Sequence, residues 1–137
     1  MTRSVLADGL YAITDSTLIP PGQLTNFVSL AIAGGASVIQ YRDKQAPDHE
    51  RYREATALAT LCRQHNIPLI INDDADLAAA VGASGVHLGR TDPPIRQTRE
   101  QLGPRAIIGV SCYNDLERAI AAAQAGADYV AFGRYIP

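Results

Sequence analysis

The chain has 137 residues, close to the length of one domain, and its 47% hydrophobic and 19% charged residues suffice for a sizeable core. A net charge of −2 without a basic cluster argues against a general nucleic-acid-binding protein. No apolar run approaches the about 18 residues of a transmembrane helix, and the first residues lead into no signal-peptide core. The two cysteines form neither a CxxC pair nor a disulfide framework, so we expect a soluble cytoplasmic protein without a membrane or nucleic-acid partner.

Strand and helix patterns alternate along the chain. Apolar runs bounded by turn residues predict the strands, and apolar residues at helical spacing predict the helices between them. In chain order the predicted elements are strand 10–14, helix 23–33, strand 37–42, helix 47–64, strand 68–72, helix 75–81, strand 85–88, helix 93–102, strand 106–110, helix 114–125 and strand 128–132. Asn114 is the predicted cap of the last helix.

This repetition predicts a parallel sheet with right-handed crossovers. Small residues recur at the turns from helix to strand, which favours a barrel of equivalent units over a doubly wound sheet. The expected fold is therefore a (β/α)8 TIM barrel, truncated after about the sixth strand, with residues 1–137 as a single incomplete βα-barrel domain. A complete barrel needs at least about 200 residues, so we expect the N-terminal portion of a longer protein. Whether 137 residues fold by themselves stays open.

The clearest functional signal is the segment 40–44, Gln-Tyr-Arg-Asp-Lys, which directly follows an apolar strand. Because side chains alternate along a strand, Arg42 and Lys44 are predicted to point to the same side. Arg binds phosphate through its guanidinium fork and Lys binds it as a point charge, so the segment can hold a phosphate or pyrophosphate. A strand end that is merely solvated is the alternative that the segment alone leaves open.

Two further predicted strands also end in polar side chains. Asp73 follows the third strand and Asp92 follows the fourth. Ligands of parallel sheets bind beyond the carboxyl ends of the strands, so both carboxylates are predicted to share a cavity with Arg42 and Lys44. One or two carboxylates with substrate phosphate oxygens make the usual Mg²⁺ site, which suggests a diphosphate ester as substrate. From spacing alone, an N-cap of the next helix is an equally good interpretation of Asp73.

The chain also resembles the thiamine-phosphate synthases, a family of the TenI-like superfamily. The likeness spans nearly the whole chain and is carried by six motifs in order, at residues 10–15, 40–44, 71–73, 85–89 with Asp92, 109–111 and 127–133. It implies a (β/α)8-barrel enzyme, a transferase of thiamine biosynthesis. Such an enzyme joins 4-amino-2-methyl-5-pyrimidinylmethyl diphosphate to a thiazole phosphate, which gives thiamine phosphate and, with the help of Mg²⁺, releases pyrophosphate.

The resemblance also implies roles for individual residues. Those implied to bind the pyrimidine diphosphate are Gln40, Tyr41, Arg42, Asp43, Lys44, Asn72 and Ser111. Arg42, Lys44 and Ser111 are implied to be catalytic: the two cations stabilise the departing pyrophosphate, and the hydroxyl approaches the pyrimidine or its reacting carbon. Asp73 and Asp92 are implied to hold Mg²⁺, directly or through water. No protein nucleophile is needed, so catalysis would rest on positioning and charge stabilisation.

Two departures from the family pattern bear on function. Arg90 stands where family members usually carry Gln, so the resemblance gives it no role. The family's loop after the sixth strand carries Thr residues and a Lys that contact pyrophosphate and thiazole phosphate, whereas this sequence ends at Pro137. The thiazole-phosphate site is therefore expected beyond Pro137, and the chain as written is expected not to complete both substrate sites.

Two alternative functions stay open at this point. One is a relative resembling the thiazole-phosphate tautomerases, and the other is a non-catalytic fragment that binds a phosphate ligand. Relatives of the first kind typically lack the metal carboxylates, so Asp73 together with Asp92 speaks against it. The sequence decides neither between Mg²⁺ and Mn²⁺ nor between a monomer and a homo-oligomer. His87 is interpreted as a packed, hydrogen-bonded histidine rather than a proton-transfer group.

Overall fold

The chain folds as alternating strands and helices. The structure is a computed structural model that describes residue 6 and residues 9–90 and 92–133. Within these residues the elements are β1 (Leu10–Ile13), α1 (Leu24–Ala33), β2 (Ala36–Tyr41), α2 (Asp48–Gln64), β3 (Leu69–Asn72), α3 (Ala75–Val81), β4 (Gly85–Leu88), α4 (Ile95–Leu102), β5 (Ile107–Tyr113), α5 (Leu116–Gln124) and β6 (Tyr129–Phe132). The strands form one parallel sheet in the order β1-β2-β3-β4-β5-β6. The predicted βα repeat and barrel-type fold are thus confirmed.

The sheet curves strongly, because its two outer strands meet across its concave face. The hydroxyl groups of Tyr11 on β1 and Tyr129 on β6 are hydrogen-bonded. Their rings pack edge to face with centroids 5.6 Å apart. A flat sheet with the usual strand spacing would hold these two strands roughly 24 Å apart. The six strands therefore form the wall of a barrel.

Two apolar layers flank this wall, and strand alternation decides which residue joins which layer. The outer layer lies between the sheet and the helices, where Ile39 and Ile71 pack in one cluster with Leu58 of α2. The inner layer fills the concave side, where Val38 and Ile70 pack with residues of β5 and β6. Successive residues of β2 and β3 thus point to opposite faces, which fixes which polar side chains can reach the interior.

Three details differ from the predicted elements. β5 continues to Tyr113, and its pairing with β6 shifts register between Ser111 and Tyr113. β2 ends at Tyr41, one residue earlier than predicted. Helix α5 is capped by Asp115 and not by Asn114, since the Asp115 carboxylate accepts a hydrogen bond from a first-turn N–H at 3.1 Å. The shorter reach of an acidic cap explains this difference, because Asn114 lies one residue too early to meet that N–H.

The helices are of ordinary globular length, and the longest, α2, has 17 residues. None of the helices in the described part of the chain combines the length and apolar character that crossing a membrane requires. That residues 1–137 make one domain able to fold by itself stays a prediction.

Candidate functional site

Polar side chains gather at the carboxyl ends of the middle strands. Asn72 is the last residue of β3, and it pairs in register with His87 of β4. Asp73 directly follows β3, and Ser111 lies near the end of β5. Because the strands are parallel, these ends share one edge of the barrel wall, which is the edge where barrel proteins bind their ligands.

Asp73 and Asp92 form a carboxylate pair at this edge, with Lys44 beside it. The Nζ atom of Lys44 lies 3.2 Å from Oδ2 of Asp73. The N–H of Gly89 donates a hydrogen bond to Oδ2 of Asp92 at 2.6 Å. Burial, with the Asp73 carboxylate close by, raises the pKa of Asp92. The structure thus brings together three of the residues that the sequence pattern singles out.

The residue that caps α3 is Asp74, which leaves Asp73 for the strand-end cavity. One Asp74 oxygen accepts the N–H of Leu77 at 2.9 Å, and the other accepts Nη1 of Arg51 at 3.0 Å. Asp73 itself has a φ of 68°, in the left-handed region, which costs a non-glycine residue about 1–3 kcal/mol. Its N–H continues the β3–β4 pairing by donating to the carbonyl of His87 at 2.8 Å. Such strain typically accompanies function.

The donors at this edge suit a hard divalent cation that is shared with a ligand. Mg²⁺ takes one or two protein carboxylates and completes its shell with waters and phosphate oxygens. The described residues contain no group of three or more His, Cys, Asp and Glu side chains that could hold a metal by themselves. Asp73 and Asp92 therefore fit a cation that needs phosphate oxygens to complete its coordination.

Arg42 and Lys44 do not line one cavity. Lys44 lines a cavity of about 590 Å³ with Asp73, whereas Arg42 lines a separate one of about 550 Å³. The predicted alternation does not apply, because β2 ends at Tyr41 and the residues after it form a turn. Asp43 stabilises that turn, and its carboxylate accepts two backbone N–H groups at 3.0 and 3.1 Å. Asp43 touches both cavities.

Tyr41 requires a correction to its predicted contact with the substrate. Strand alternation turns Gln40 inward and Tyr41 outward, where Tyr41 is 2% exposed in the outer apolar layer. Its hydroxyl donates to Oε1 of Glu54 on α2 at 2.6 Å. Burial together with the Glu54 carboxylate raises the pKa of Tyr41, so the phenol stays protonated. Tyr41 ties the sheet to a helix, and its ring does not share the cavity of Lys44.

A chain of hydrogen bonds crosses the concave face from β2 to β5. Gln40 donates from Nε2 to the Tyr11 hydroxyl at 2.9 Å, and that hydroxyl meets the one of Tyr129. The Tyr129 hydroxyl lies 2.8 Å from Nδ1 of His87. On the other side of the imidazole, Nε2 lies 2.7 Å from Oγ of Ser111. The predicted ligands Gln40 and Ser111 are thus the two ends of one polar network.

Proton counting gives this network a direction. Because the Gln40 amide nitrogen only donates, each hydroxyl proton is used once if Tyr11 donates to Tyr129 and Tyr129 donates to Nδ1 of His87. The Nε2–H of His87 then donates to Ser111. Burial lowers the pKa of His87 and raises that of Tyr129, so both remain neutral, as this arrangement requires. The hydroxyl proton of Ser111 is then left to point at a ligand.

The sequence patterns do not single out Tyr11 and Tyr129, although they are central to the network. The signal that would find Tyr129 is Gly109, its partner in the β5–β6 register. A Cβ at Gly109 would overlap the Tyr129 ring, so only glycine leaves room for it. Reading that signal requires the register, which the sequence does not state. The interpretation of His87 as a packed, hydrogen-bonded residue is confirmed.

The fold and the edge at which these groups gather define a class: βα-barrel proteins with a ligand site beyond the carboxyl ends of the strands. Within this class, the chain belongs to the thiamine monophosphate synthase family, whose pattern residues 10–137 match. The thiamine-phosphate synthase of Nitrosococcus oceani is 62% identical over 129 residues, which are 94% of this chain and 59% of the relative. The thiamine-phosphate synthase of Marinobacter nauticus is 50% identical over 97% of this chain and 60% of the relative.

Solved structures show the same relationship. The thiamine phosphate pyrophosphorylase of Pyrococcus furiosus superposes with a TM-score of 0.83 at 41% identity, covering 93% of this chain and 61% of its own. A Schiff-base-forming fructose-1,6-bisphosphate aldolase superposes with a TM-score of 0.60 at 18% identity, which concerns the fold alone. This chain thus spans about three-fifths of the length of the synthase relatives it matches.

Proposed function

We propose that the protein acts as a thiamine-phosphate synthase. In this reaction, 4-amino-2-methyl-5-pyrimidinylmethyl diphosphate and a thiazole phosphate give thiamine phosphate and pyrophosphate. The observation that carries the proposal is the meeting of Lys44, Asp73 and Asp92 at the strand ends. Family membership and the identity to named synthases support it further. The carboxylate pair also favours a synthase over a tautomerase-like relative, which has no diphosphate to release.

The proposed chemistry needs charge stabilisation more than a nucleophile. The bond that breaks joins the methylene carbon of the pyrimidine to a diphosphate oxygen, and the bond that forms joins that carbon to the thiazole nitrogen. Lys44, with Arg42 reaching in from the neighbouring turn, would stabilise the charge on the departing pyrophosphate. A Mg²⁺ held by Asp73 and Asp92 would supply further charge neutralisation.

The inward network would orient the pyrimidine for this displacement. Gln40 and Ser111 are fixed at its two ends, and the ring between them can use their amide and hydroxyl groups as partners. Asn72, which is 9% exposed beside Asp73, would hold the diphosphate end. With the pyrimidine held, the electron-rich aminopyrimidine stabilises the cationic carbon until the thiazole nitrogen attacks it, so catalysis is largely positioning.

The decisive experiment is release of pyrophosphate by the product of the full reading frame, with both substrates and Mg²⁺. We expect Asp73→Asn and Asp92→Asn to reduce turnover by about a hundredfold or more, because each removes a carboxylate of the cation site. Glu117→Gln, at an exposed position of α5, is the matched control and should retain wild-type turnover. If the wild type releases no pyrophosphate, the protein binds its phosphate ligand without turnover. Unchanged rates in both Asn variants would remove the metal assignment.

The proposal includes a location and partners. Small-molecule substrates and Mg²⁺ suffice for the reaction. Cys62 and Cys112 are free thiols, both buried, and free thiols are typical of the reducing cytoplasm, which supports a cytoplasmic location.

A further inference from the structure

Three oxygens from three different strand ends converge on one side of Gly89. A Cβ built at Gly89 would lie 3.4 Å from Oδ2 of Asp92, 3.6 Å from Oδ1 of Asp73 and 3.8 Å from the hydroxyl oxygen of Tyr113. The first two belong to the proposed cation site. The third comes from a residue to which neither the sequence patterns nor the family resemblance gives a role. The absence of a side chain at Gly89 leaves the space between them open.

Tyr113 is held in this position by its backbone and by two cations. Its φ of 57° is rare for an aromatic residue, and its carbonyl accepts the N–H of Gly133 at 2.9 Å, where the β5–β6 pairing is irregular. The guanidinium carbon of Arg90 lies 4.4 Å from the ring centroid and that of Arg118 lies 5.7 Å from it. Arg118 is itself anchored by a bond from Nε to the Ser111 carbonyl at 2.7 Å. Arg90, which departs from the family pattern, thus supports the Tyr113 ring.

The Tyr113 hydroxyl has no hydrogen-bond partner among the residues that the structure describes, although Lys44 and the Gly89 N–H engage the neighbouring carboxylates. A phenol is a neutral donor, so it can approach a phosphate oxygen without adding negative charge to a site that already holds two carboxylates. A cation bound by Asp73 and Asp92 would bring such an oxygen to this place, because its shell is completed by phosphate.

We propose that Tyr113 is a substrate-contacting residue of this site, whose hydroxyl donates a hydrogen bond to a diphosphate oxygen while Asp73 and Asp92 hold the cation. This proposal rests on the proposed function and adds to it a recognition element that is supplied by β5. Arg90 and Arg118 act on it as positioning residues, since they contact the ring and not the hydroxyl.

Binding of inorganic pyrophosphate to the full-length protein tests this, measured by titration calorimetry with Mn²⁺ or Mg²⁺ present. Tyr113→Phe removes only the oxygen, and we expect it to weaken pyrophosphate binding by about tenfold, as for loss of a hydrogen bond to a charged group. Binding of Mn²⁺ alone, followed by its paramagnetic resonance signal, should be unchanged. Tyr52→Phe, at an exposed tyrosine of α2, is the matched control. Arg90→Gln keeps the hydroxyl but removes one stacked cation, so it should weaken pyrophosphate binding less than Tyr113→Phe does.

The outcomes separate this inference from the proposed function. Equal pyrophosphate affinity in Tyr113→Phe and the wild type overturns the inference. A loss of Mn²⁺ binding in that variant also overturns it, because the hydroxyl would then serve the metal and not the diphosphate. The same holds if the wild type binds no pyrophosphate. If the wild type binds pyrophosphate through Tyr113 but gives no turnover with both substrates, the inference stands and the synthase function fails.

Discussion

Asp92 shows, at the scale of one residue, a conflict between stability and ligand binding. Burial and the nearby Asp73 carboxylate raise the pKa of Asp92, so folding disfavours its charged form. A carboxyl whose pKa rises on folding lowers stability above that pKa, and the penalty disappears as the pH falls through it. We therefore expect Asp92→Asn to raise the midpoint of thermal unfolding at neutral pH in metal-free buffer. Asparagine removes the charge and still offers an oxygen to the N–H of Gly89.

The same variant should lose the stabilisation that ligands provide. Excess Mg²⁺ with pyrophosphate should raise the midpoint of the wild type, because a ligand that binds only the folded state stabilises it, and should raise that of Asp92→Asn much less. Glu117→Gln serves as the control and should behave as the wild type in both buffers. A lower midpoint for Asp92→Asn without metal would mean that the carboxylate pair carries no cost.

At the scale of elements, Asp74 joins two helices, because its carboxylate both caps α3 and binds Arg51 of α2. The Arg51 side chain is only 18% exposed, so removal of Asp74 would leave a largely buried cation without its main partner. We expect Asp74→Ala to lower the free energy of unfolding by about 2–3 kcal/mol. The control, Asp115→Ala, removes an exposed cap of α5 and should cost about 1 kcal/mol. Urea unfolding measures both, and equal losses would contradict a coupling of α2 to α3.

The elements themselves were the part that the sequence could predict. Apolar periodicity and glycine turns gave their order, and parallel strands then required that the polar residues at their ends share one edge. What the sequence could not predict depends on where a strand stops and how a loop leaves it. β2 stops at Tyr41, which sends Arg42 and Lys44 to different cavities, and Asp73 adopts a left-handed φ of 68° that no local pattern demands. The choice between Asp73 and Asp74 as cap follows from that same backbone angle.

At the scale of the whole molecule, curvature brings together what sequence distance separates. The hydroxyls of Tyr11 and Tyr129 meet only because the wall bends through six strands. The network through His87 then extends the contact to Ser111, so one line of hydrogen bonds spans the concave face from β1 to β6. Strand register and barrel curvature are properties of the assembled sheet, which explains why single-strand patterns point to its ends and not to its middle.

His87 makes this assembly sensitive to pH. Burial lowers the pKa of His87 from its ordinary 6.5, so the unfolded chain takes up a proton at a higher pH than the folded chain does. The contribution of neutral His87 is therefore complete above pH 6.5 and is lost as the pH falls below it. We expect His87→Gln to be less stable than the wild type at neutral pH but to lose less stability between neutral pH and about pH 5. Urea unfolding across this range measures the slope, with His65→Gln, at an exposed position, as the control that keeps the wild-type slope. A wild-type slope in His87→Gln would mean that the network tolerates a charged imidazole, since Tyr129 and Ser111 would then both accept from it.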